Sequence, residues 1–198
     1  GDELGVLGAE VEDQDSLVGH GLCLRKRKAA EAAFRRAVEL EPRSASAQLS
    51  LANFYWAANR LADAENAFVA ASTLEPNSAQ TLRSIVAFYL ATKSDSKAEP
   101  YVRRYAQAVK STESQLMLVD FLLGHNRTDE ARQHLQVLAA NKDSSTAAVI
   151  RLAAVDYIGK QKSRAYEQID TVLKAEPGNE QAVLLKARFL LADDKPAE

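Results

Sequence analysis

Three histidines, one cysteine and a few isolated carboxylates are the side chains of this 198-residue sequence that could do chemistry. His20, His125 and His134 are scattered. His125 falls in a Gly124-His125-Asn126 turn and His134 on the helix expected after it. No carboxylate completes a metal-ligand spacing with them, so structural or surface roles are the better reading. Cys23 stands alone, which excludes an intramolecular disulfide and any cysteine-based zinc cluster, and it reads as a small packed hydrophobe. Asp120 and Asp156 lie on separate first helices, and two isolated acids do not make a general acid/base pair. No phosphate-cradling loop, dinucleotide fingerprint or Ser-His-Asp order is present. The expectation is therefore no catalytic residue, no metal site and no cofactor.

Charge points away from nucleic acid. The formal net charge is −2, so no global field draws in a polyanion or an anionic membrane. The Arg25-Lys26-Arg27-Lys28 run is short and has no interleaved aromatics; it reads as a solvated turn near Glu31 rather than a targeting or nucleic-acid patch. Asn126-Arg127-Thr128 fits a glycosylation pattern, but an inter-helix turn explains it better. No apolar run is long enough to span a bilayer, and no secretory signal opens the sequence, which starts Gly1-Asp2-Glu3. The expected protein is soluble, cytoplasmic or periplasmic, and not inserted in a membrane. With 46% apolar and 26% charged residues it is of ordinary globular composition, and its abundant alanine beside 8 Gly and 5 Pro favours helices.

The elements that position these residues can be read from periodicity. Pro42 and Pro76 stand 34 residues apart and bracket two apolar stripes of helical spacing. Ala47, Leu51, Ala52, Phe54 and Tyr55 form one; Ala64, Ala67, Phe68 and Ala71 form the other. Asn59-Arg60 leaves room only for a tight turn, so the helices run antiparallel. Small residues, Ala52 and Ala64, fall where two axes must approach, and Asn77 or Ser78 is placed to cap the next helix. The small position recurs at Ala30, Ala64, Ala98, Ala131 and Ala165, with spacings of 34, 34, 33 and 34.

This register resembles the tetratricopeptide repeat. The resemblance covers about residues 28–192 and implies an all-α fold: a right-handed superhelix of stacked antiparallel helix pairs. Residues 1–16 are expected to be a poorly ordered tail or a degenerate helix. Residues 17–198 are expected to form the array, with about five helix pairs plus one unpaired C-terminal helix. In the first pair the second helix, about 29–41, is well marked. Its partner is open between Leu17–Leu24, a shifted frame with Gly21 at the small position, and one long helix through the basic run. The third repeat, 79–111, lacks a terminal proline and is one residue short, so a local bend is expected there. Asp95 or Ser96 is expected to cap its second helix, with Pro100 near the first turn, and Thr128 or Asp129 to cap the corresponding helix of the fourth repeat. The last helix, Glu180 to Ala192, is apolar on nearly every side. It reads as part of a longer array or as a surface for self-association.

Carried over residue by residue, the family's groove positions are Leu49, Asn53 and Trp56, then Arg83, Ala87 and Leu90. They continue with Leu116, Asp120 and Leu123, then Ile150, Ala154 and Tyr157, and finally Leu184 and Arg188. The resemblance implies that a protein or peptide docks against them. The lining is mostly apolar. Asn53, Arg83, Arg151 and Arg188 are spread over different repeats and lack the pattern of the subfamily that grips chaperone carboxylate tails. An amphipathic helix or hydrophobic segment suits such a groove. Trp56 and Tyr157 are the anchor candidates, although Trp56 fits equally well as a packing residue between repeats. The function expected is a non-enzymatic interaction scaffold, or alternatively the docking arm of a larger enzyme or secretion apparatus.

Overall fold

The computed structural model describes residues 25–141 and 145–193. The expectations for residues 1–24, including His20 and Cys23, lie outside them. A helix, α1, is described over 25–40. After it come α2 (Ala45–Ala57), α3 (Leu61–Leu74), α4 (Ala79–Ala91), α5 (Asp95–Val109), α6 (Thr112–Gly124), α7 (Thr128–Ala139), α8 (Ser145–Ile158), α9 (Lys162–Ala175) and α10 (Glu180–Asp193). The basic run at 25–28 is an exposed stretch of α1 and not a turn.

Four first helices, α2, α4, α6 and α10, begin with side-chain caps. Ser44, Ser78 and Ser111 accept from the amides of Ala47, Thr81 and Ser114, satisfying donors that the first turn leaves free. Asn179 Oδ1 does the same for Ala182 at 3.0 Å. Second helices begin differently. Arg60, Ser94, Arg127 and Gln161 occupy the cap position of α3, α5, α7 and α9 with no side-chain bond. Thus neither Asp95 nor Ser96 caps α5, and neither Thr128 nor Asp129 caps α7. The preceding residues Asn59, Lys93, Asn126 and Lys160 are left-handed, with φ of 57°, 54°, 58° and 62°. That turn lets the next amide reach back into the first helix: Arg60 N to Tyr55 O, Arg127 N to Leu122 O and Gln161 N to Asp156 O, at 2.8–2.9 Å. The bond closes the C-terminus of the first helix, and the second helix starts without a side-chain cap.

The third repeat departs from the pattern as its sequence suggests. Lys110, left-handed at φ 55°, ends α5 where the first, second and fifth repeats carry Pro42, Pro76 and Pro177. Pro100 is the sixth residue of α5, beyond the first turn, so it removes the amide that would donate to the Ser96 carbonyl.

The chain divides into two compact bodies, Gly1–Lys93 and Ser94–Glu198. In the first, α2 and α3 form an antiparallel hairpin on which α4 packs. Its core holds Ala64, Phe68, Leu82, Ile85 and Val86, all fully buried. In the second, each helix from α5 to α9 packs on its successor. Ala98, Ala131 and Ala165 are fully buried at the close approaches, with Val119, Leu122, Leu135 and Ile169 filling the gaps between helices.

Candidate functional site

The predicted groove residues lie on first helices, and each body presents its own set. In the body Gly1–Lys93, α2 exposes Asn53, and α4 exposes Arg83, Ala87 and Leu90. Leu49 is only 4% exposed and belongs to the core. Trp56 is half-buried. Its ring meets Phe68 edge-on at 6.2 Å and Phe88 edge-on at 5.7 Å, and those two rings lie 5.1 Å apart. Trp56 thus packs α2 against α3 and α4 and leaves part of the indole at the surface.

In the body Ser94–Glu198 the inner positions of α6 and α8 face one another. Arg151 of α8 grips Asp120 of α6 as a fork, with Nε to Oδ1 at 2.9 Å and Nη2 to Oδ2 at 3.1 Å. Around this pair Leu116, Leu123 and Ala154 are partly exposed. Ile150 is buried in the cluster that holds Ala153, Ala165 and Ile169. Asp120 and Arg151 thus neutralise one another, with Leu116 and Leu123 about one helical turn to either side of Asp120 and Ala154 three residues after Arg151.

Tyr157 is occupied within the chain. Its ring stacks on Phe189 of α10 at 4.1 Å and 2°. Its hydroxyl donates to Asp193 Oδ1 at 2.7 Å and lies 3.1 Å from the Phe189 carbonyl. Lys162 Nζ at 2.5 Å and the Tyr166 hydroxyl at 2.8 Å complete the carboxylate's partners. These donors, Lys162 first, hold the Asp193 carboxyl down at about 2. Burial, followed by the bond to Asp193, pushes the Tyr166 phenol up to about 12. Asp193 thus fastens the end of α10 to α8 and α9. Sequence reasoning did not find this clasp, because Asp193 lies 27 to 36 residues from its three donors. The available signal was that roughly one repeat separates them.

The other candidate acids are used in packing. Asp156 is fully buried on α8, bonded to Arg132 of α7, with Arg164 Nε 3.2 Å from its second oxygen. Glu31 accepts from Arg60 at 2.7 Å, and Glu65 from the Tyr89 hydroxyl at 3.1 Å. Glu99 and Glu130 are both held by Arg103 and Arg127, whose hydrogen bonds lower the two carboxyls. Glu31, Glu65, Glu99 and Arg132 occupy one register position, one residue after the small alanine. From that position the second helix of one repeat bonds to the next repeat along the chain. His134 and the exposed Val137 line a recess of about 750 Å³ between α5 and α7. Among the described residues no group of three His, Cys, Asp or Glu side chains is placed to hold a metal ion. Among them, too, no helix is long and apolar enough to cross a membrane.

The structure is similar to that of YrrB, a TPR protein with an unusual peptide-binding site. Identity is 17%, the match covers 83% of this chain and 86% of that one, and the TM-score is 0.62. MamA 41-end from Desulfovibrio magneticus RS-1 matches at 15% identity over 81% of this chain and 92% of its own, with a TM-score of 0.59. A chain of the Naa15/Naa10 assembly bound to HypK-THB matches at 15% identity over 84% of this chain and 26% of that one, with a TM-score of 0.59. No family model and no curated protein matches the sequence.

Proposed function

We propose that this chain, an all-α protein with the tetratricopeptide-repeat fold, is a non-catalytic scaffold that docks an amphipathic helix or apolar peptide on the inner faces of its first helices. The observation that carries the reading is the α6–α8 surface. There Leu116, Leu123 and Ala154 surround an Asp120–Arg151 pair that already satisfies its own charges. Asn53, Trp56, Arg83 and Leu90 give the other body a similar face, with Trp56 contributing only the part of its ring that packing leaves open. The reading agrees with YrrB, which has a peptide-binding site, and with the HypK-bound Naa15/Naa10 assembly. Partner recognition by protein surface rather than by nucleic acid fits the slightly negative net charge. The apolar outward face of α10 offers a further surface for self-association.

The reading is tested with a panel of fluorescent peptides, amphipathic-helical, extended apolar and polar, measured by anisotropy. Amphipathic peptides are expected to bind. Leu116→Glu and Leu123→Glu are expected to weaken that binding at least tenfold, about 1.4 kcal/mol, with little change in melting temperature. Equal binding by these variants, or capture of none of the peptides, would sink the assignment.

A further inference from the structure

The repeats share one packing geometry, so the second helix of one could seat on the first helix of another. Ala64, Ala98, Ala131 and Ala165 are all fully buried at equivalent places, and the same left-handed turn joins successive pairs. What differs from joint to joint is the chemistry one residue after the small alanine. Glu31 and Glu65 each reach the tyrosine 24 positions on, Tyr55 at 3.5 Å and Tyr89 at 3.1 Å, and Glu31 also accepts from Arg60. Glu99 is held by Arg127 of the next repeat. The fourth repeat reverses the sign: Arg132 of α7 donates to Asp156 of α8, again 24 positions on. Asp156 is the one fully buried charged side chain among the described residues. Arg164 of α9, about half exposed, lies 3.2 Å from its other oxygen.

We infer that the Arg132–Asp156 pair fixes the order in which the repeats stack. Asp156 is buried, so α8 accepts only a second helix that brings it a cation. At this position α7 alone carries one; α1, α3 and α5 carry Glu31, Glu65 and Glu99, and α9 carries Tyr166. Seating α5 on α8, by skipping a repeat or by exchange between two copies, would set Glu99 against Asp156 and bury two carboxylates together. The same error fails from the other side. On α2 or α4, Arg132 would meet Tyr55 or Tyr89, and Asp156 would be left buried without its partner. The Glu31–Tyr55 and Glu65–Tyr89 joints share one pairing and do not discriminate between each other. A buried ion pair exchanged for apolar residues of similar size is often neutral or stabilising, so strength alone does not account for this one. One buried polar residue that sets register in a helical assembly is a known device of the same kind.

The experiment separates order from strength. The full 198-residue chain is unfolded in urea and refolded at about 100 µM. Size-exclusion chromatography with light scattering then measures the fraction of dimer that persists after dilution, the mark of exchanged helices rather than of reversible contact. The unaltered chain is expected to return almost free of it. Arg132→Met/Asp156→Leu is expected to melt at or above the original temperature, yet its persistent-dimer fraction should rise on the order of tenfold. Glu65→Met/Tyr89→Phe removes a joint of the shared kind and should leave that fraction unchanged. Arg132→Gln/Asp156→Asn keeps the side-chain shapes without the charges and should also raise it, which decides the matter if the apolar pair fails to fold. A fraction raised at positions 132 and 156 but not at 65 and 89 supports the inference. No rise in either 132/156 variant, or an equal rise in the 65/89 variant, would overturn it. So would a dimer fraction that merely tracks the loss of melting temperature across all three variants, since the pair would then serve strength and not order.

Discussion

Both ring nitrogens of His125 face acceptors. Nδ1 lies 2.7 Å from the Phe121 carbonyl oxygen and Nε2 lies 3.1 Å from Asp95 Oδ2. A neutral imidazole carries one N–H and can satisfy only one of them, whereas the imidazolium satisfies both. The Phe121 carbonyl is the main cause that raises the His125 pKa, followed by the Asp95 bond; Glu99 adds a weaker attraction and partial desolvation opposes all three. Because the folded value lies above the unfolded one, the stabilisation is complete below about pH 6.5 and is lost as pH rises through the folded pKa. The urea midpoint should therefore fall between pH 6 and pH 8, and His125→Gln should remove that part of the decline. An NMR titration should place this imidazole above a free histidine; a value at or below the free one would contradict the geometry. Sequence placed His125 in a turn, and that holds. It gave no hint of Asp95, thirty positions upstream, because an ion pair across a repeat leaves no local pattern.

At the scale of single elements, α10 is the informative case. Its composition suggested a helix apolar all round, and its two faces turn out to have different roles. Ala182 and Phe189 are buried against α8 and α9, while Val183, Leu184, Leu190 and Leu191 remain substantially exposed. Its seat depends on Asp193, so Asp193→Ala should fray α10. Amide hydrogen exchange over Ala182–Asp193 should speed up clearly, with α6 and α7 unaffected; equal protection in the variant would show that stacking of Phe189 on Tyr157 suffices. Helix existence and phase were readable from α2 onward, since the buried alanines follow the apolar period; the helical basic run at 25–28 was missed, and of the capping serines only Ser78 was named, as one of two candidates. The starts of second helices were misread. Side-chain caps were expected at Asp95 or Ser96 and at Thr128 or Asp129, but these helices start with none, directly after a left-handed residue that ends the helix before, and Asn or Lys at such a position is an ambiguous signal.

At the scale of the whole molecule, stability in a stacked array is close to a sum of repeat and neighbour terms. Damage should therefore stay local. Ala64 is fully buried at the α2–α3 approach. Ala64→Leu should overpack it, costing roughly 1–3 kcal/mol. Hydrogen exchange should show protection lost in α2–α4 and retained in α8–α10; uniform loss across both bodies would mean that the array unfolds as one unit. The 34-residue register was legible because the same packing problem recurs and selects the same residue sizes each time. The lining was only partly legible. Leu49 and Ile150 fall inside the core, and Tyr157 is taken up by the clasp, because a groove position and a stacking position differ by a small rotation that one sequence does not reveal.

The uncapped second helices have a consequence for how the chain comes into being. Arg60, Arg127 and Gln161 close the helix before them through amides that reach into its last turn. The turn that launches a second helix is thus built on the end of its predecessor and forms only once that helix is coiled. Growth then advances by hairpins of about 34 residues rather than by single helices, and a pause inside a repeat strands a half-made pair while the finished ones behind it stand.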